Sequence, residues 1–269
     1  MFKKIAIVTI AATLFAPMVA LADVNLSASG STALLPLVKE SAQGYQTAHP
    51  DVKISVSGGG SYVGINQAQS HSVDIGDSDV LAPGNAGLRD HKVCVVGFGV
   101  IVNPTTGIAG LSRKQLREIF SGKITNWHQV GGKDGQITVI NRPRASGTRA
   151  VFNATVMGTA KINEQGLVED SSGTVVNTVA STPGSISYVA LGYTKGKPVT
   201  TLKVDGVPAT DDNIRKGKYA IWSYEHMFTH AGSPAQAEDF IKFVANNKEV
   251  IEKLGYIVTA TMKVKENGR

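Results

Sequence analysis

The chain passes several times from a strand-like segment, through a turn rich in glycine and hydroxyl residues, into a helix-like segment. The turns read Ser-Gly-Ser-Thr-Ala at 29–33, Gly-Gly-Gly-Ser-Tyr at 58–62 and Asn-Arg-Pro-Arg-Ala-Ser-Gly-Thr-Arg at 141–149. This alternation predicts an α/β fold with mostly parallel sheets. A helix that begins at such a turn presents unpaired N–H groups and the positive end of its dipole, and both attract oxyanions.

Length and composition limit what else the chain can be. With 269 residues and 42% hydrophobic content, it is long enough for one large or two ordinary domains and too apolar for disorder. A formal net charge of +6 suits an anionic partner but does not by itself indicate nucleic acid. The single cysteine, Cys94, excludes an intramolecular disulfide, and its apolar neighbours predict a buried, unreactive thiol.

Residues 1–22 predict a secretory signal peptide. Lys3 and Lys4 precede an apolar run that Pro17 interrupts, and Ala20-Leu21-Ala22 matches a cleavage signature. We expect cleavage after Ala22 and no lipoprotein anchor, since no cysteine follows that site. The predicted location of the mature, soluble protein is a bacterial periplasm.

Each of the turns allows two interpretations. Ser31 or Thr32 could bind an anion or simply cap a helix, and Ser61 could hold an anion or lie in a flexible turn. The third turn is the most informative, because Arg142 offers a planar fork for an oxyanion just before a helix that starts with hydroxyl residues. Its alternative is a surface arginine beside a capped helix.

Other chemistries lack their motifs. The chain has no Gly-x-Ser-x-Gly elbow, no dinucleotide fingerprint and no phosphate-binding loop of the Walker type. The acids Asp74, Asp77 and Asp79 lack the glutamate that closes a calcium loop. His226 and His230 are spaced as if to share one helical face, but two histidines are too few for a usual zinc site. We therefore expect neither an enzyme nor a metalloprotein.

Six short motifs occur in an order that is informative only as a set. They are Gly-Ser-Thr at 30–32, Gly-Gly-Ser at 59–61, Ile-Gly-x-Ser-Asp at 75–79, Gly-Lys-Ile-Thr-Asn-Trp at 122–127, Arg-x-x-x-Ser-Gly-Thr at 142–148 and Gly-Ser-Ile-Ser-Tyr at 184–188. Together they resemble the periplasmic phosphate-binding proteins of phosphate ABC importers, across nearly the whole mature chain.

That resemblance implies a type II-like binding-protein fold, with two α/β lobes, two hinge strands and the ligand in the cleft. The first lobe would comprise 23–100 plus about 192–269, and the second about 101–191, with crossings near 97–104 and 186–192. The implied phosphate contacts are Ser31, Thr32, Ala33, Ser61, Asp79, Arg142, Ser146, Gly147 and Thr148. No cofactor or metal is implied. The expected partners are phosphate and a membrane permease, with a monomeric protein and no nucleic acid.

Asp79 gives the resemblance a chemical meaning. Phosphate near neutral pH carries a proton that a carboxylate can accept, whereas sulfate has none, so Asp79 is the expected selector of phosphate over sulfate. The family often carries an acid between the arginine and the serine, where this chain has Pro143-Arg144-Ala145. Arg144 would face solvent, raise anion affinity or admit a larger phosphorylated compound, and Asp77 is a candidate to offset its charge.

Two alternative functions stay open at this stage. A family-like chain could sense phosphate or act as an envelope or adhesion protein, since docking on a permease has no short motif. It could also bind another oxyanion, such as sulfate or molybdate.

Overall fold

A computed structural model describes residues 24–265, so the predicted signal peptide lies outside the described residues. Across the described part of the chain, no helix combines the length and the apolar character needed to cross a membrane.

The described residues alternate between strands and helices, as predicted. The strands are β1 (Val24–Gly30), β2 (Val52–Ser57), β3 (Ile75–Ser78), β4 (Arg89–Val102), β5 (Gly110–Leu111), β6 (Thr138–Asn141), β7 (Leu167–Val168), β8 (Ser185–Ala190), β9 (Thr200–Thr201), β10 (Lys203–Val204) and β11 (Trp222–Thr229). The helices are α1 (Leu35–Ala48), α2 (Ser61–Gln69), α3 (Arg113–Phe120), α4 (Gly147–Phe152), α5 (Ser172–Ser181), α6 (Asp211–Arg215), α7 (Ala235–Asn246) and α8 (Lys248–Lys253). A π-helical turn, Asn153–Met157, continues α4.

The strand β4 connects two halves of a nine-stranded sheet. The strand order is β2-β1-β3-β11-β4-β8-β6-β7, and β9 also pairs with β4. The first half of β4, residues 89–97, pairs with β11, and the second half, residues 98–102, pairs with β8. This crossing gives the molecule two α/β lobes, the first built on β1, β2, β3 and β11 and the second on β6, β7 and β8.

The second lobe has apolar packing on both faces of its sheet. Along β4, Val100 and Val102 belong to the main core, where they join Phe120 and Phe152. Ile101 points to a separate cluster that includes Val175 from α5. Adjacent residues of one strand face opposite sides of a sheet, so this apolar run is continuous rather than alternating.

The antiparallel centre of the sheet corrects the prediction of mostly parallel sheets. The strand β11 runs antiparallel to both β3 and β4, and β4 runs antiparallel to β8. The prediction that His226 and His230 share a helical face is also wrong, because His226 lies within β11 and His230 directly follows it. Every residue of β11 is buried, and its strand character is fixed by pairing with distant strands on both sides.

The buried thiol was predicted correctly. Cys94 lies in the core with no measurable exposure, and burial raises the pKa of its thiol well above its ordinary value. It therefore packs as a small hydrophobic residue.

Residues 200–204 return to the second lobe after the chain has left it. Thr200 and Thr201 pair with the end of β4, and Lys203 and Val204 pair with β5. This stretch therefore lies beside the lobe predicted for 101–191. The exact division of the chain into lobes stays a prediction.

The helix α2 lies very close to β1 and β3 because α2 and β3 each have a glycine at the contact. A Cβ on Gly64 would lie 2.5 Å from the carbonyl oxygen of Ser29 and 2.7 Å from that of Asp77. A Cβ on Gly76 would lie 2.5 Å from the carbonyl oxygen of Gly64. The neighbouring atoms belong to the backbone and cannot rotate away. This contact fixes the start of α2 beside the ends of the two strands.

Replacing Gly64 tests this contact. We expect Gly64→Ala to lower the free energy of unfolding by about 2 kcal/mol, because overpacking outweighs the better helix propensity of alanine. Urea denaturation measures the effect. The matched control is Gly84→Ala, where a Cβ meets nothing within 4 Å, and its change should stay below about 0.5 kcal/mol. Equal effects in the two variants would contradict the role given to Gly64.

Candidate functional site

The three turns singled out in the sequence meet in one place, between the two lobes. Each predicted contact residue is buried there, and none of the eight with a quantified exposure exceeds 6%. They are Ser31, Thr32, Ala33, Ser61, Asp79, Arg142, Ser146, Gly147 and Thr148. Their roles as ligand contacts stay predictions, but the structure brings them into one cluster.

Asp79 joins three of these segments. Its carboxylate accepts hydrogen bonds from the hydroxyls of Ser31 and Thr148, the latter over 2.7 Å. Its backbone N–H donates to the Ser61 hydroxyl over 2.9 Å. Because Thr148 belongs to α4 and the other two belong to the first lobe, Asp79 connects the lobes at the cluster.

Ser31 organises the first turn without capping α1. Its hydroxyl oxygen accepts hydrogen bonds from the backbone N–H groups of Ala33 and Leu34, each over 3.1 Å. The helix begins only at Leu35, with Leu34 at the N-cap position. Ser31 therefore performs a cap-like function at the turn before the helix, while its own proton points to Asp79.

Arg142 is a buried cation with donors to spare. Its Nη2 donates to the Thr32 hydroxyl and to the backbone carbonyl of Asp170, each over 3.1 Å. Within residues 24–265, its Nε and Nη1 atoms have no hydrogen-bond partner. Burial lowers the pKa of this guanidinium, and the nearby charge of Asp79 acts in the opposite direction. An arginine stays protonated in proteins, so its unpartnered donors suit an anion.

The lobes approach each other closely at two glycines. A Cβ on Gly147 would lie 2.2 Å from the Ser61 hydroxyl oxygen and 2.8 Å from Cβ of Asp79. Gly60 has a φ of +100°, and a Cβ there would lie 2.6 Å from the carbonyl oxygen of Ala145. That same carbonyl accepts a hydrogen bond from the backbone N–H of Tyr62 over 3.2 Å. The turns before α2 and α4 are therefore in direct contact.

Four residues of the cluster were not predicted. Ser172, at the start of α5, contacts the Thr32 hydroxyl through both its N–H and its Oγ, each over 3.2 Å. The hydroxyls of Tyr193 and Tyr256 donate to the backbone carbonyls of Thr32 and Ala33. Asp170 contributes only its carbonyl. The Ser-Ser-Gly-Thr run at 171–174 was a usable signal for α5, whereas the tyrosines have no local signal.

The structure shows where the side chains of Arg144 and Asp77 lie. The side chain of Arg144 is 85% exposed, which confirms the expectation that it faces solvent. Asp77 is fully buried, and its carboxyl oxygens have no hydrogen-bond partner among residues 24–265. Burial raises the pKa of this carboxyl well above its ordinary value, because the interior disfavours the charged form. Among the described residues Asp77 has no contact with Arg144, whose charged group in solvent pairs with Glu164 instead.

His226 in β11 and His230, which directly follows it, lie outside the cluster and form separate pairs. The Nδ1 of His226 contacts the carboxylate of Asp90 over 2.7 Å, and the ring of His230 stacks on His71 at a centroid distance of 4.0 Å. Within the described range, no group of three or more histidine, cysteine, aspartate or glutamate residues is placed to hold a metal ion.

Two α/β lobes that meet around a buried arginine, hydroxyl groups and helix N-termini form the arrangement of a two-lobe solute-binding protein. A family model described as a PBP superfamily domain matches residues 18–248. The chain is 41% identical over 248 residues to the phosphate-binding protein PstS of Bacillus subtilis, covering 89% of this chain and 82% of that one. The chain belongs to the PstS family of phosphate-binding proteins within this superfamily.

Solved structures agree with this assignment. A phosphate ABC transporter substrate-binding protein with bound phosphate from Clostridium perfringens has a TM-score of 0.82 at 28% identity, covering 87% of this chain and 98% of that one. An ABC-type phosphate transport receptor from Vibrio cholerae has a TM-score of 0.71 at 27% identity, covering 86% and 99%. The predicted fold class and family are thereby confirmed.

The contact at Gly147 can be tested without any ligand. We expect Gly147→Ala to keep the lobes apart, because its Cβ would collide with Ser61 and Asp79 across the interface. Small-angle scattering should then report a larger radius of gyration than for the unaltered protein. The control is Gly173→Ala, also at a helix start in the second lobe, whose Cβ would meet only Tyr193 at 3.9 Å. An unchanged radius for Gly147→Ala would refute the close contact.

Proposed function

We propose that this protein binds inorganic phosphate reversibly in the periplasm, without catalysis, and delivers it to the permease of an ABC importer. The observation that carries the proposal is Arg142, which is buried between the lobes and has two donors, Nε and Nη1, without a partner among the described residues. A desolvated guanidinium with free donors is a strong recognition element for a phosphate oxygen.

The surroundings of Arg142 suit the same ligand. A phosphate that enters a buried site loses its hydration, and closely spaced N–H and O–H donors must replace it. The first turn of α4 supplies backbone N–H groups at Gly147 and Thr148, which have no partner within the helix. The hydroxyls of Thr32, Ser61 and Thr148 surround the same region. Thr32 contacts Arg142, and Asp79 contacts both Ser61 and Thr148, so these groups lie close together in the structure.

The division of these residues between the lobes supports binding by closure. The proposed contacts Thr32, Ala33, Ser61 and Asp79 belong to the first lobe, and Arg142, Ser146, Gly147 and Thr148 belong to the second. We propose that phosphate stabilises the closed form because only that form brings both sets of contacts onto one anion. The crossing of β4 and the segment after β8 would serve as the hinges.

The relatives support the transport role. The Bacillus subtilis protein is named a phosphate-binding protein, and the Clostridium perfringens structure is a transporter substrate-binding protein with phosphate bound. The predicted signal peptide agrees with a periplasmic site of action. Sensing, adhesion and the binding of sulfate or molybdate are the alternatives that the following measurements address.

Removing Arg142 tests the proposed site. We expect Arg142→Ala to weaken phosphate binding about a hundredfold or more, since it removes the main positive charge facing a desolvated anion. The measurement is calorimetric titration of protein that has been unfolded and refolded to remove any retained ligand. Arg144→Ala is the matched control, because its exposed side chain should contribute little. If Arg142→Ala kept its affinity, the site assignment would be wrong.

Replacing Asp79 tests the selectivity of the site for phosphate over sulfate. The unaltered protein should bind phosphate in the presence of excess sulfate, because sulfate offers Asp79 no proton and faces its charge. In Asp79→Asn, sulfate should become an effective competitor and phosphate should bind more weakly. Competition calorimetry measures both effects, with urea denaturation to show that the variant remains folded. Unchanged selectivity would remove Asp79 from the role of selector.

A further inference from the structure

The turn that carries Arg142 departs from the pattern of the resemblance at one place that affects its charge. No acid lies between Arg142 and Ser146, where the sequence reads Pro143-Arg144-Ala145. Across residues 24–265, the guanidinium of Arg142 also forms no ion pair, since its partners are a hydroxyl and a carbonyl. The position of Arg142 therefore depends on these neutral contacts and on residues outside the turn 142–146 that hold its backbone.

Arg149 is placed to do this. It is a buried residue of α4, with 8% of its side chain exposed. Its Nη1 donates to the backbone carbonyl of Arg142 over 2.7 Å, and its backbone N–H donates to the Ser146 hydroxyl over 3.2 Å. Arg149 therefore contacts both ends of the turn 142–146. Because the backbone of Arg142 is held in this way, the position of its Cα atom and the direction of its side chain are fixed.

Glu164 in turn holds Arg149. Its carboxylate accepts from Nη2 of Arg149 over 2.7 Å, and the same oxygen is 3.5 Å from Nη2 of Arg144. The hydrogen bond and charge of Arg149 lower the pKa of Glu164 below its ordinary value. The guanidinium of Arg149 therefore bridges two acceptors: Nη2 donates to the carboxylate of Glu164, and Nη1 donates to the backbone carbonyl of Arg142. A lysine cannot reproduce this fork.

We propose that Arg149, oriented by Glu164, is the positioning residue for Arg142. This inference rests on the proposed phosphate site. The arrangement has a consequence for binding: the carboxylate neutralises Arg149 and leaves the charge of Arg142 to the anion. Arg142 is thereby held through its backbone as well as through Nη2, and its Nε and Nη1 remain available to the anion.

The sharpest test is Glu164→Gln, because Glu164 is half exposed and its replacement keeps the shape of the side chain. We expect phosphate affinity, measured by calorimetry on refolded protein, to fall about tenfold. Arg149→Met should lower it further, and Arg149→Lys should recover only part of the loss. The matched control is Arg144→Gln, which removes the weaker contact to the same glutamate and should change affinity less than twofold.

A spectroscopic measurement separates positioning from general stability. In the phosphate-bound protein, the Nε–H group of Arg142 should give a protected signal in nitrogen-15 NMR, assigned by its loss in Arg142→Lys. Glu164→Gln should broaden or shift this signal while the unfolding transition stays close to that of the unaltered protein. A purely structural role for Glu164 would change the unfolding transition and leave the signal in place, and that result would overturn the inference.

The outcomes are distinct from those that test the function. If the unaltered protein fails to bind phosphate, the proposed function is wrong. If it binds phosphate and Glu164→Gln binds equally well, only the role of Arg149 and Glu164 is wrong. If Arg149→Met does not fold, Glu164→Gln still decides, because its side chain lies at the surface.

Discussion

The cost of burying Arg142 is the constraint on which the rest of the site depends. A guanidinium taken out of water loses a large hydration energy, and an interior position is tolerated only where hydrogen bonds and opposite charge replace it. Here one nitrogen contacts Thr32 and the carbonyl of Asp170, and the charge of Asp79 lies nearby. Three of its five N–H donors, on Nε and Nη1, have no hydrogen-bond partner among residues 24–265. In the proposed function these donors meet the anion, and they would then be a source of affinity rather than a defect in packing.

The rest of the fold brings the compensating groups to this cation with little freedom. Asp79 follows a short buried strand, and its carboxylate is held by hydroxyls from two different elements. The hydroxyls of Tyr193 and Tyr256 donate to backbone carbonyls of the first turn and so hold its backbone in place. Glycines at 60 and 147 remove the side chains that would otherwise separate the turns. Such preorganisation lowers the entropic cost of ordering these groups when the anion binds.

The sequence predicted the parts of the molecule that depend on local order. Strand–turn–helix units, the hydroxyl-rich turns and the buried Cys94 follow from neighbouring residues, and the structure agrees with them. The spacing of His226 and His230 favoured a helix over the period-two pattern of aromatic residues in β11, which pairs with β3 and β4. Tyr256 and Glu164 could not be predicted for a different reason. Each reaches the site across a long stretch of chain, and no spacing within the sequence indicates such a contact.

The shared strand β4 affects how the protein can change over evolution. Since a single strand belongs to both halves of the sheet, the proposed rotation of one lobe against the other would twist a few peptide units near Gly97 and Gly99. At both glycines, a Cβ would collide with side-chain atoms of Leu191, so the crossing is shaped by packing and not by the ligand. The resting angle between the lobes can therefore drift through substitutions that never touch the anion. Two relatives with the same binding residues could then differ in affinity solely because the free form of one of them is more closed.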